Sequence, residues 1–177
     1  DTIKILDGAT VEGSVKGGNG ENPSVYGAAQ DSDGNNITVQ NATVKGNVEG
    51  STYGGKNIIE VSNSTVEGSV LGGIDIDEID VTSGSKVKKT VEGGAGEDKI
   101  TVTGAGTVVG EALTTPELKV NGSITGGEGN DKIVLSDGAH AVNAGIAGWG
   151  GNDEITVTGS GTRAHSISGH AGDDIIR

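Results

Sequence analysis

Asn57-Ile-Ile-Glu-Val61, Asp77-Glu-Ile-Asp-Val81 and Asp98-Lys-Ile-Thr-Val102 are three copies of one short pattern: an Asx residue, then Ile two places on and Val four places on. Working outward, the same opening recurs at Asp1, Asn35, Asp131, Asp153 and Asp174, with successive spacings of 34, 22, 20, 21, 33, 22 and 21 residues. A fixed period of this length is the signature of a solenoid, whose units bury their apolar face by stacking on their neighbours. The expected fold is therefore all-β, a parallel β-helix or β-solenoid of about 21 residues per coil and roughly seven coils. The two long spacings place inserted loops at 23–33 and 106–118, each holding one of the two prolines, Pro23 and Pro116. Proline cannot donate to a ladder, which puts both outside the stacked body.

Within a unit the first strand alternates. Ile3, Ile37, Ile59, Ile79, Ile100, Ile133 and Ile155 form one column, and Ile5, Val39, Val61, Val81, Val102, Leu135 and Val157 the next. Polar residues lie between them, from Lys4 and Thr38 to Thr156, interrupted by Val134. Period 2 with β-branched residues reads as a strand with its apolar face inward. A second strand repeats as Thr10-Val-Glu-Gly-Ser-Val15, Thr43 to Val48, Thr65 to Val70 and Lys119 to Ile124, with weaker copies at 86–91 and 141–146. Its central glycines, Gly13, Gly46, Gly68 and Gly122, mark a bend.

Composition agrees with a narrow interior. The 177 residues include 34 glycines and one tryptophan but no Phe, Met or Cys, so the core must be built from Ile and Val. Strict Ile-x-Val alternation argues against disorder in this Gly-rich, acidic chain. The net charge of −13 argues against nucleic acid or an anionic membrane surface as a partner and is compatible with binding cations. No signal peptide and no long apolar run is visible, so no membrane insertion is expected of this segment. One domain over 1–177 is expected, cut from a longer chain.

Each unit closes on a Gly-rich turn. In the second half these turns read Gly93-Gly-Ala-Gly-Glu-Asp98, Gly126-Gly-Glu-Gly-Asn-Asp131, Gly148-Trp-Gly-Gly-Asn-Asp153 and Gly169-His-Ala-Gly-Asp-Asp174. Glycines in left-handed conformations aim backbone carbonyls at one spot, and Asp adds a hard anionic oxygen; together these suit Ca²⁺. A tight turn capped by Asp explains the same residues without an ion. Gly17 to Asn22 matches only in part, and Gly54 to Asn57 and Gly72 to Asp77 match less well.

The turns at Gly93–Asp98 and Gly126–Asp131 resemble the glycine- and aspartate-rich nonapeptide of bacterial repeats-in-toxin (RTX) proteins; those at Asp153 and Asp174 depart from it at Trp149 and His170. The resemblance implies one column of Ca²⁺ sites along one edge, formed by Gly93, Gly94, Gly96, Asp98, Gly126, Gly127, Gly129, Asp131, Gly151, Asp153, Gly172 and Asp174. Residues 1–92, with units such as Asn36 to Gly50, are similar to the passenger regions of bacterial autotransporter adhesins. That likeness implies a secreted or surface-anchored structural or adhesive protein. A host or surface glycan or protein is then an expected partner, and self-association end to end a further expectation.

An enzyme is not expected. The densest carboxylate group, Asp75, Asp77, Glu78 and Asp80, reads as a solvated charged face, with an acid–base or ion site as the alternative. A lyase site would want basic residues beside it, and the only arginines are Arg163 and Arg177. A carbohydrate-binding or carbohydrate-active β-helix module is the second functional reading. His140, His165 and His170 read as surface histidines. Trp149 reads as cover over the edge of a coil, with stacking on a sugar as the alternative. The Asn-x-Ser/Thr sequences at Asn36, Asn41, Asn63 and Asn121 read as turn chemistry.

Overall fold

Ile-x-Val alternation puts every first strand into one parallel sheet. In the computed structural model, which describes residues 1–18, 34–51, 54–110 and 122–177, this sheet has eight strands. They are β1 (Thr2–Leu6), β4 (Asn36–Gln40), β7 (Ile58–Ser62), β10 (Glu78–Thr82), β13 (Lys99–Thr103), β16 (Lys132–Ser136), β18 (Glu154–Val157) and β20 (Ile175–Ile176), stacked in that order. The register pairs Ile37 with Ile59, Ile59 with Ile79, Ile79 with Ile100 and Ile100 with Ile133. Identical side chains therefore lie above one another in ladders.

The second half of each unit divides at its bend into two further ladders. One holds β2 (Thr10–Val11), β5 (Thr43–Val44), β8 (Thr65–Val66), β11 (Lys86–Val87) and β14 (Val108–Val109). The other holds β3 (Val15–Lys16), β6 (Val48–Glu49), β9 (Val70–Gly73), β12 (Val91–Ala95) and β15 (Ile124–Glu128). β17 (His140–Gly150) is long enough to pair with both β14 and β15, which joins the two ladders into one 12-stranded sheet, and β19 (Arg163–Ala171) pairs with β17. The fold is all-β, with parallel strands in long parallel sheets of the β-solenoid kind. Among the described residues no helix is long and apolar enough to cross a membrane.

The interior is one cluster of Ile, Val, Leu and Ala contributed by all three ladders, with Ile37, Ile59, Ile79, Ile100, Ile133 and Ile155 fully buried. Burying each such side chain contributes about 1.5–3 kcal/mol. Outside, charges pair between neighbouring levels: Glu78 meets Lys99 (2.5 Å) and Lys56 (3.4 Å), and Glu154 meets Lys132 (3.4 Å) and Arg177. Such exposed pairs add about 0–1 kcal/mol each and chiefly blunt the sheet surface.

The expectation of a loop at 106–118 is corrected at its start. Thr107 is fully buried, its hydroxyl donating to Thr103 O (2.8 Å) and accepting from Gly84 N–H (2.9 Å). Val108 and Val109 then pair with Lys86 and Val87, so Val108-Val109 fills the ladder position assigned from sequence to Lys119-Val120. Residues 111–121 lie outside the described set, as does the whole 23–33 insertion. The bend glycines behave as expected at Gly46 and Gly68, where a Cβ would meet backbone of the preceding level. Asn41 (φ 52°) and Asn63 (φ 46°) hold left-handed turn positions, and Asn63 Nδ2 donates to Asn41 Oδ1 at 2.8 Å.

Candidate ladder of buried carboxylates

From the second unit to the seventh, the Asx residue opening the unit is buried, although it is polar. Asn35, Asn57, Asp77, Asp98, Asp131 and Asp153 are all at most 4% exposed. Each, from Asn57 on, accepts a hydrogen bond from the backbone N–H of the same residue one level earlier. Asn57 Oδ1 accepts from Asn35 (3.1 Å), Asp77 from Asn57 (2.7 Å), Asp98 from Asp77 (2.7 Å) and Asp131 from Asp98 (2.8 Å). Asp153 accepts from Asp131 (2.8 Å) and Asp174 from Asp153 (3.0 Å). The four aspartates expected at the calcium edge, Asp98, Asp131, Asp153 and Asp174, are thus consecutive members of one column.

The second side-chain atom separates Asn from Asp. Asn35 Nδ2 donates to Asn57 Oδ1 (2.9 Å), and Asn57 Nδ2 donates to Asp77 Oδ1 (2.8 Å). From Asp77 onward the corresponding atom is Oδ2, which has no proton to give. Asp77, Asp98, Asp131 and Asp153 Oδ2 are all buried and all without a hydrogen-bond partner. A buried acceptor left unsatisfied costs about 1–3 kcal/mol, and more when charged. Burial is the largest cause pushing the carboxyls of Asp77, Asp98 and Asp131 up to about 6, and it raises Asp153 in the same direction. Backbone N–H donors to Oδ1 oppose that rise without cancelling it.

The turn glycines fit around these oxygens. A Cβ on Gly93 or Gly126 would collide with Oδ2 of Asp98 or Asp131, and Gly148 and Gly169 stand in the same relation to Asp153 and Asp174. Gly96, Gly129, Gly151 and Gly172 have φ of 129°, 126°, 118° and 136°. At the last three, a Cβ would also strike a glycine carbonyl of the preceding level. Gly94 (φ 122°) and Gly127 (φ 126°) are left-handed as well. The stacked turns therefore offer hard oxygens: buried carboxylates, with carbonyls packed closely between levels. Among the described residues no three acidic or imidazole side chains gather at one point, so any bound cation must draw on backbone carbonyls in addition to the ladder.

These residues fit Ca²⁺ in donor type, in having an anionic oxygen with no other partner, and in glycines that leave no room for side chains. The Ca²⁺ column expected from the turns left out Asp77, whose turn Gly72-Gly-Ile-Asp-Ile-Asp77 lacks the third glycine; the Asx spacing already placed it in register with the others. Gly148 and Gly169, the first glycines of their turns, were findable from the motif in the same way.

Asp75, Asp77, Glu78 and Asp80 do not form a shared site. Asp77 points into the ladder, Asp75 accepts from Gly55 N–H (2.7 Å) in the turn, and Glu78 joins two lysines outside. The expectation of a wholly solvated face is corrected at Asp77, which is 1% exposed. Trp149 is 53% exposed and stacks on His170, with ring centroids 4.8 Å apart and planes 14° from parallel. Comparison with protein-family models, with curated proteins and with solved structures returned no match.

Proposed function

We propose that this chain is a non-enzymatic, extracellular structural or adhesive β-solenoid of about seven coils, stabilised along one edge by Ca²⁺. The observation that carries the reading is the run of four buried carboxylate oxygens without partners, at Asp77, Asp98, Asp131 and Asp153. Two acceptors stacked level on level need a positive species between them: a proton at low pH or a cation at neutral pH. Calcium is present at millimolar concentration outside cells, so weak oxygen sites fill there and folding is coupled to arrival. Without an ion, the ladder stays desolvated and self-repelling. The separate partners of Asp75, Asp77 and Glu78 speak against a shared catalytic role for them.

Calorimetric titration of chelator-treated protein with CaCl₂ tests this reading. Saturable binding that is lost in the triple variant Asp98→Asn, Asp131→Asn, Asp153→Asn is expected. Heats no larger than those of dilution would contradict it, as would binding that survives the triple substitution.

A further inference from the structure

The ladder beside the Asx column carries a second anomaly. Gly73, Gly94 and Gly127 stand in register on successive levels, and the next two members of that column are Trp149 and His170. Both aromatic residues keep a positive φ, as do Gly94 and Gly127 in the same column, with φ of 87° for Trp149 and 75° for His170. A bulky L-residue held there is strained, and strain retained against a local rule points to a use for the side chain. Packing uses only part of the side chain, because Trp149 is half exposed.

One face of the indole is covered by His170. Toward the preceding levels stand Gly127 and then Gly94, which have no side chains, so no neighbouring ring extends the stack. A cavity of ≈ 210 Å³ opens there, lined by Trp149, Gly127, Gly94, Thr125, Glu92 and Glu128. Thr125 Oγ1 is 2.9 Å from Ser123 Oγ, placing a hydroxyl pair on its rim, and Glu92 and Glu128 are exposed.

We propose that this trough binds a sugar ring of an uncharged or amino-bearing oligosaccharide, laid flat on Trp149 over the glycine column. The C–H face of a pyranose stacks on the indole, while its hydroxyls donate to the Glu92 and Glu128 carboxylates and exchange hydrogen bonds with Thr125. The same carboxylates, in a chain of net charge −13, repel anionic sugars. The proposal goes beyond the calcium reading and stands independently of it.

Trp149 is the chain's single tryptophan, so its fluorescence reports on this site alone. Protein in saturating calcium is titrated with three trisaccharides, of N-acetylglucosamine, glucosamine and galacturonic acid. Saturable emission changes with one or both of the first two, and none with the acid, are expected. Calorimetry on Trp149→Gly, which restores the glycine of the earlier levels and should melt no lower than the parent, should show at least about tenfold weaker binding. The proposal is overturned if neither of the first two sugars shifts the emission, if the acidic sugar binds equally well, or if Trp149→Gly binds unchanged. A melt of the same samples with and without chelator reads the calcium question separately, so failure of one reading is not mistaken for failure of the other.

Discussion

Asn57 Nδ2 donates to Asp77 Oδ1 at 2.8 Å, whereas Asp77 Oδ2, the corresponding atom one level on, is buried and donates to nothing. This single change from amide to carboxylate divides the column into a part satisfied by its own hydrogen bonds and a part that leaves one buried carboxylate oxygen per level without a donor.

Replacing the carboxylate by the amide should therefore remove the requirement. Asp98→Asn supplies a donor toward the next Oδ1, as Asn57 already does, and should raise stability in chelator by about 1–3 kcal/mol. In calcium the gain should shrink or reverse. Asp98→Ala, which keeps neither donor nor acceptor, should destabilise under both conditions. Urea unfolding of the three proteins with and without calcium checks the order.

The ion-free protein should be more stable in mild acid than at neutrality. Burial raises Asp77, Asp98 and Asp131 to about 6, above the ordinary Asp value of about 3.9 in the unfolded chain. Between those values the folded state binds more protons, so stability falls as pH rises through the window and the loss is complete above it. A tenfold difference in proton affinity between the folded and unfolded chain corresponds to about 1.4 kcal/mol, and three such groups together should move stability by a few kcal/mol. The urea midpoint in chelator should be higher at a pH of about 4.5 than at about 7.5. An equal or lower midpoint in acid would contradict the buried-carboxylate ladder.

Glycines should divide by what surrounds them. Gly129 has φ 126°, and a Cβ there would run into the Gly96 carbonyl; Gly129→Ala should cost about 2 kcal/mol or more. Gly13 has no positive φ, and its Cβ would meet nothing within 4 Å. Gly13→Ala should be neutral or stabilise by about 0.4–1 kcal/mol, because it restricts the unfolded chain. Thermal melts of the two variants read the contrast directly.

The register at Val109 has its own test. Val109 is fully buried between Val87 and Ala141, so Val109→Asp places an unpaired charge in the core. Loss of the cooperative transition is expected; a variant that melts like the parent would place residues 106–110 outside the stacked body.

The strand ladders were legible in the sequence because Ile59, Ile79 and Ile100 repeat with one period, and a ladder rewards identical side chains at identical positions. The start of the second insertion was not. Val108-Val109 and Lys119-Val120 both offer a valine where one is needed, and what decides between them is Thr107, whose hydroxyl bonds to Gly84 on another level. Asp98, Asp131, Asp153 and Asp174 were readable from their turns. That these carboxylates point inward, each bonded through one oxygen to the previous level, required the stacking itself. Asp77 was obscured by a turn without the third glycine, and the Trp149–His170 stack by the 20 residues between its partners.

Thermal unfolding in excess chelator against about 5 mM calcium is the most direct test of the calcium-stabilised ladder. Ligand at about a hundred times its dissociation constant adds about 2.7 kcal/mol. For a chain of this length that should raise the melting temperature by roughly 5–10 °C. The Asp98→Asn, Asp131→Asn, Asp153→Asn variant should lose most of that rise. Superimposable melts of the parent protein in chelator and in calcium would contradict calcium stabilisation.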